Sequence, residues 1–356
     1  MTSAVTAPQT TGTVRQVVVN SLDDIQVEHH ARPIPGPGEV LLEPTLVGIC
    51  GSDLHAARGV HPFITLPYRP GHEVVGRVAA TGEGVDAQFA PGTRVVLEPN
   101  LACGKCPPCQ EGRYNICDVL DVIGCQTPGG MTDAFTVAAD RLHVLPDDLD
   151  DTAAVLVEPL STPLRAVRRA GALKDKRVVV LGAGPIGLFI LLGAVRAGAS
   201  AVVSADLVGS KRNRAVSFGA AGAVDAAAED AVEQARMLLG GAADVVFDCV
   251  SRDSSVRQGV DLLRKGGKLM TVGVAAGATS IPLDLVQDRE LDILGCLMFV
   301  REDVQEAIAM LREGVVPVAD IITGTFDVED VAAAYAASAD PEQVKIVVRV
   351  GAGQPS

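Results

Sequence analysis

The 356-residue chain is 48% hydrophobic and 21% charged, the balance of a globular protein, and its length suits two domains better than one core. A formal net charge of −14 leaves no basic face to neutralise phosphates, which argues against a nucleic-acid partner. No run of about 18 uninterrupted apolar residues is present, so no membrane span is expected; the stretch from Met1 to about Thr13 lacks the regions of a signal peptide and reads as a disordered lead-in.

In chain order, the first 150 residues carry short β-branched runs: Val17-Val18-Val19, Val40-Leu41-Leu42, Val74 to Val78, and Arg94 to Leu97. Turn signals at Pro35-Gly36-Pro37-Gly38 and Pro91-Gly92 separate them, which predicts a β-rich or barrel-like unit. Two short motifs lie in it, Cys50-Gly51-Ser52-Asp53-Leu54-His55 and Gly71-His72-Glu73. Singly each is ambiguous, since a cysteine is more often core than ligand.

Cys103, Cys106, Cys109 and Cys117 follow at spacings of two, two and seven intervening residues, with Gly104 and Pro107-Pro108 to bend the loop. Four thiolates so close together can close a tetrahedral shell around a structural zinc; an iron–sulfur cluster uses the same ligand type. A disulfide scaffold is the reading for small secreted domains, whereas a long chain with an ample core suits a cytoplasmic metal protein. Cys125, Cys249 and Cys296 stand apart and read as small buried hydrophobes.

The texture changes near Leu160. Arg177 to Leu181 reads as a buried strand, Pro185 to Ala197 as a helix and Ala201 to Ala205 as a strand, with further strands at Asp244 to Asp248 and Lys268 to Val272. Apolar strands alternating with helices predict a doubly wound parallel sheet. Gly182-Ala183-Gly184-Pro185-Ile186-Gly187 joins the first strand to its helix, where glycines admit a pyrophosphate and the helix N-terminus supplies amide donors. Asp206 ends the next strand, placed to accept from ribose hydroxyls and to repel a 2′-phosphate, which favours NAD over NADP. Arg212, just downstream, softens that preference, and Val272 and Gly273 are further expected cofactor contacts. A helix from Glu302 to Glu313 and a strand from Val344 to Val350 close the chain.

These motifs, together with Val157-Glu158-Pro159-Leu160 and in this order, resemble the medium-chain dehydrogenase/reductase superfamily, in its zinc-containing alcohol and polyol dehydrogenase branch. The resemblance covers about Val17 to Val350. It implies an α/β fold: a GroES-like catalytic domain over 1–160 with a structural zinc lobe at about 100–120, a Rossmann NAD-binding domain over 161–299, and a segment, 300–356, returning to the catalytic domain. It also implies two zinc ions per chain. Cys50, His72 and Glu158 would ligate the catalytic ion, with Glu73 an alternate ligand or its neighbour, and the four clustered cysteines would hold the other.

In that scheme zinc stabilises the substrate alkoxide, Ser52 takes the hydroxyl proton, His55 passes it to solvent, and hydride goes to the nicotinamide. Family members pair through edge strands, and Leu291 to Leu297 is the expected edge of a homodimer or homotetramer. Polyol dehydrogenases tend to carry an arginine and an aromatic near Gly295 to Phe299, whereas here the run is Gly295-Cys296-Leu297-Met298-Phe299. An apolar lining is therefore expected, suited to a cyclic or weakly polar secondary alcohol, with a polyol, vicinal diol, aminocyclitol or amino alcohol as the alternative. A catalytically silent zinc- and dinucleotide-binding protein, or a zinc-free quinone reductase, would not need Cys50, Ser52, His55, His72 and Glu158 together.

Overall fold

The computed structural model describes residues 12–275 and 277–351; all but the end of the expected lead-in lies outside them, and Thr13 already begins a strand. A hairpin, Thr13–Ser21 against Asp24–Ala31, opens the chain. A seven-stranded sheet follows in the order Ile322–Asp327, Lys345–Arg349, Glu39–Ile49, Glu73–Thr81, Arg94–Leu97 and Leu142–Val144, with Phe135–Ala138 also on Glu39–Ile49. Its pairings are antiparallel except the first, and its apolar residues, among them Val40, Leu42, Val74, Val95 and Val348, form one continuous core. Strand Lys345–Arg349 lies antiparallel against Glu39–Ile49.

The second sheet is six-stranded and parallel, ordered Gly222–Asp225, Ala201–Asp206, Arg177–Leu181, Ala243–Asp248, Leu263–Thr271 and Asp292–Gly295. This is the doubly wound order whose reversal, between Arg177–Leu181 and Ala243–Asp248, opens a crevice at the strands' carboxyl ends. Helix Pro185–Arg196 packs Leu188, Phe189, Ile190, Leu191 and Leu192 into the core, which explains its nearly unbroken apolar sequence. Asp292–Gly295 is the edge, as expected.

Helix Val157–Ala170 runs across the expected boundary at 160. Its Val157, Leu160, Leu164 and Val167 sit in a single core with Val75 and Val96 of the first sheet and Val178 and Val180 of the second. An amphipathic helix buried from both sides belongs to neither domain alone. Among the described residues no helix is long and apolar enough to cross a membrane.

Candidate active site

Cys103, Cys106, Cys109 and Cys117 bring their Sγ atoms within 4.8 Å of one another. Cys106 Sγ is 3.3 Å from that of Cys109 and 3.8 Å from that of Cys117. Sulfurs about 2.3 Å from a tetrahedral zinc stand about 3.8 Å apart, so the quartet fits such an ion. The amides of Lys105 and Cys106 lower the Cys103 thiol to about 6, which favours the thiolate a metal needs. The lobe is pinned beyond the quartet. Tyr114 donates to buried Glu98 at 2.6 Å and accepts from the Arg301 amide, while Asn115 Nδ2 donates to the Leu297 carbonyl at 2.7 Å.

The second cluster forms where helix Gly51–Ala57 meets strand Glu73–Thr81. Cys50 caps the helix, and Asp53 accepts its amide at 2.9 Å, fixing the loop that presents the thiol. Cys50, His72 and Glu73 each offer a ligand atom within 4.8 Å of the others. Glu73 fits there because its cross-strand neighbour is Gly48, whose Cβ would lie 1.9 Å from Glu73 Oε2.

Both Glu73 oxygens accept from buried Lys345, at 2.6 and 2.8 Å. His72 Nδ1 is buried without a hydrogen-bond partner among the described residues and stands 3.9 Å from Asp53 Oδ1, itself bonded by Tyr68 at 3.1 Å. Burial opposes a charged His72, but Asp53, with Cys125 and Cys50, outweighs it and raises the imidazole well above its ordinary value. Glu158, at the start of helix Val157–Ala170, lies outside the tight group but within electrostatic reach of His72, Glu73, Lys345 and Asp53. Burial, with Glu73 and Asp53 adding to it against His72 and Lys345, pushes its carboxyl up to about 8.

Three buried carboxyls and a thiol thus face one lysine and one imidazole. A divalent cation among them would offset this surplus of acidic groups, so the donor set fits a metal in charge as well as in spacing.

Ser52 is half-buried and His55 exposed, three residues apart on one face of helix Gly51–Ala57. In the nucleotide domain, a Cβ on Gly187 would meet the Gly182 carbonyl oxygen at 1.8 Å, while one on Gly184 would meet nothing within 4 Å. The former glycine serves packing; the latter leaves backbone open to a phosphate. Asp206 accepts from the amides of Ala183 at 2.8 Å and Val208 at 2.9 Å, tying it to the glycine turn. Arg212 donates to the Asp206 and Leu207 carbonyls and pairs with Asp225 at 3.3 Å. The amides of Val272 and Gly273 both donate to the Asp248 carbonyl at the rim of the crevice.

Gly295, Cys296 and Leu297 line a cleft of about 360 Å³, but its lining is not apolar: Arg113, Asn115, Arg165 and Arg169 share it. Those charges come from the lobe and from helix Val157–Ala170, remote in sequence from the run that suggested a greasy wall. Sequence reasoning also gave no role to Asp53, Lys345, Cys125 or His61. Asp53 lay inside a quoted motif, whereas Lys345 is 272 residues from Glu73 and carries no local signal. Cys125 packs against the core yet lies close enough to His72 to raise its pKa, and His61 feels both His55 and His72.

A parallel nucleotide-binding sheet joined to a β-rich domain with two metal-competent clusters defines a metal-dependent dehydrogenase. The alcohol dehydrogenase GroES-like domain family matches residues 36–147, and the zinc-binding dehydrogenase family residues 185–313. Sorbitol dehydrogenase from Ovis aries is 34% identical over 341 residues, 94% of this chain and 95% of that one. L-galactonate-5-dehydrogenase from Escherichia coli K12 is 33% identical over 85% of this chain and 88% of its own. A zinc-binding dehydrogenase from Sinorhizobium meliloti 1021, solved with NADP bound, superposes with a TM-score of 0.88 at 31% identity over 95% of this chain and 99% of that one. The chain belongs to the zinc-dependent medium-chain dehydrogenase superfamily, in its alcohol and polyol branch. It is an oxidoreductase that works with zinc and a nicotinamide dinucleotide.

Proposed function

We propose that the enzyme interconverts a secondary alcohol and its ketone, using NAD in preference to NADP, at a zinc site built from Cys50, His72 and Glu158. The observation that carries this reading is the buried surplus of acidic groups around Cys50 and His72. Glu158 is the better third ligand because both oxygens of Glu73 are engaged by Lys345, whereas Glu158 has no ion pair among the described residues. Glu73 then acts beside the site, with Asp53 orienting His72.

When bound, zinc supplies Lewis acidity at the substrate oxygen, lowering the hydroxyl pKa. Ser52 accepts the hydroxyl proton, and His55, one turn on and exposed, releases it to solvent. The turn of Gly182, Gly184, Pro185, Ile186 and Gly187 holds the pyrophosphate, with the amides of Ile186 and Gly187 at the helix N-terminus as donors. Asp206 takes the ribose hydroxyls, and Arg212 is neutralised by Asp225, which supports NAD. Val272 and Gly273 flank the nicotinamide. Asp206→Gly should lower the NAD-over-NADP ratio of kcat/KM; an unchanged ratio removes Asp206 from selectivity.

The lobe cysteines Cys103, Cys106, Cys109 and Cys117 hold a second, structural zinc in this reading. Reduced thiolates fit a cytoplasmic protein, and all eight cysteines are free. Division into 1–160, 161–299 and 300–356, with the shared helix as joint, and pairing of two copies through Asp292–Gly295 complete the proposal.

The sheep relative is named for a neutral polyol and the E. coli relative for a sugar acid. Both named compounds carry secondary hydroxyls. NADH formation at 340 nm with a panel of secondary alcohols, diols and polyols tests the reading. Turnover should be lost on zinc removal and regained on zinc return. Zinc and NAD binding without turnover of any alcohol would favour the silent protein instead.

A further inference from the structure

The cleft beside the nucleotide crevice carries charge opposite in sign to the chain's net charge. The chain carries a net −14, yet this cleft is lined by Arg113, Arg165 and Arg169 and by no carboxylate. Thr271 and Gly273, at the carboxyl end of a nucleotide-domain strand, form another wall, so the cleft opens onto the region where the cofactor's reacting end belongs.

Helix Val157–Ala170 links it to the proposed zinc site. Glu158, Thr162, Arg165 and Arg169 follow at spacings of four, three and four, which places them on one face. Seven residues of helix separate Glu158 from Arg165, a rise of about 10 Å. That is roughly the reach of a five- or six-carbon chain with a ligand contact at one end and a hydrogen bond at the other.

The arginines are not consumed by internal pairing. Arg165 Nη1 stands 3.9 Å from Asp303 Oδ2, beyond hydrogen-bond distance, and its buried Nε has no partner among the described residues. Asp303 is already committed to Arg168 at 2.8 Å and to the Val300 amide at 2.9 Å. Arg169 is anchored by Nε on the Gly295 carbonyl at 2.7 Å, which holds its guanidinium at the cleft rim. Arg113 is 3.9 Å from its nearest acid, exposed Glu111. Asn115, almost wholly buried between lobe and cleft, spends its amide on Leu297 and leaves its Oδ1 unpartnered among the described residues.

We infer that the substrate of this dehydrogenase is an anionic polyol derivative, whose carboxylate or phosphate is bound by Arg165 and Arg169 while a secondary hydroxyl several carbons away is oxidised. The inference rests on the proposed dehydrogenase reading and deepens it. Planar guanidiniums bind carboxylate and phosphate with paired, charge-assisted hydrogen bonds, and burial of Arg165 strengthens them. A neutral polyol would leave the half-buried Arg165 guanidinium with no anion within hydrogen-bond distance.

The test uses the full-length, zinc-loaded enzyme with NAD and a matched trio: a hexitol, the corresponding hexonate and the hexitol phosphate. At least one anionic member should exceed the neutral hexitol in kcat/KM by about tenfold or more, and which one identifies the anion. Arg165→Gln and Arg169→Gln should each collapse that ratio by about 10- to 100-fold, mainly through KM, with Arg165→Lys recovering part of it. Zinc content and NADH binding report that each variant is folded.

Calorimetric titration of the enzyme–NADH complex with inorganic phosphate gives an independent readout. The wild type should bind it, and Arg165→Gln should bind it at least tenfold more weakly. Phosphate binding lost in the variant, with none of the trio oxidised, would keep the anion site and overturn the polyol part of the inference. A neutral hexitol matching its anionic partners, or phosphate binding indifferent to Arg165, would overturn the inference.

Discussion

The cysteine lobe and the Cys50–His72 cluster both assemble metal-type ligands, yet by opposite routes. The lobe takes four identical donors from one short loop, Cys103 to Cys117, where a proline pair and a glycine set the bend and backbone amides support the thiolates. The other cluster draws Cys50, His72, Glu73, Glu158 and Lys345 from most of the chain's length, mixes donor types and keeps more buried acid than base. In the proposed reading, a local, symmetric set would saturate its ion and only stabilise. A dispersed, unsymmetrical set depends on the whole fold and leaves a position for a reacting oxygen.

Removing one group from each region sharpens this contrast. The largest effect is expected from Ser52→Ala, which should cut kcat by about 10²- to 10⁴-fold with zinc content unchanged; an undiminished rate would take Ser52 out of proton transfer. Lys345→Met comes next. It strands Glu73 among two other buried acids, so the variant should lose about 3–5 kcal/mol in denaturant unfolding, and Glu73→Gln added to it should recover part of that loss. Equal stability of single and double variants would show that the pair is not coupled. Cys109→Ser should act least on chemistry. Freshly prepared enzyme should keep kcat within a few-fold while losing one zinc and inactivating faster on heating, and a collapse of kcat at full stability would blur the two regions.

How much of this was readable beforehand follows the same division. The glycine turn after Leu181, the strand and helix around it, and the cysteine quartet are local patterns, and each landed within a residue or two of its element. The gathering of Cys50 with His72 followed only from motif order and resemblance. The Glu73–Lys345 pair, Asp53 behind His72 and Cys125 beside it are tertiary contacts with no periodicity to announce them. The cleft misled for the same reason. The run from Gly295 to Phe299 does lack charge, but Arg113, Arg165 and Arg169 reach the same space from other elements. Likewise the boundary at 160 marked a real change in texture, yet helix Val157–Ala170 packs against both sheets and spans it.

The most direct test of the account is the zinc-to-chain ratio of Cys50→Ser measured beside the wild type. About two zinc ions in the wild type and about one in the variant, with NADH still bound and alcohol oxidation abolished, is the predicted result. A variant that keeps both ions, or a wild type that holds only the lobe's, would contradict a catalytic zinc at Cys50 and His72.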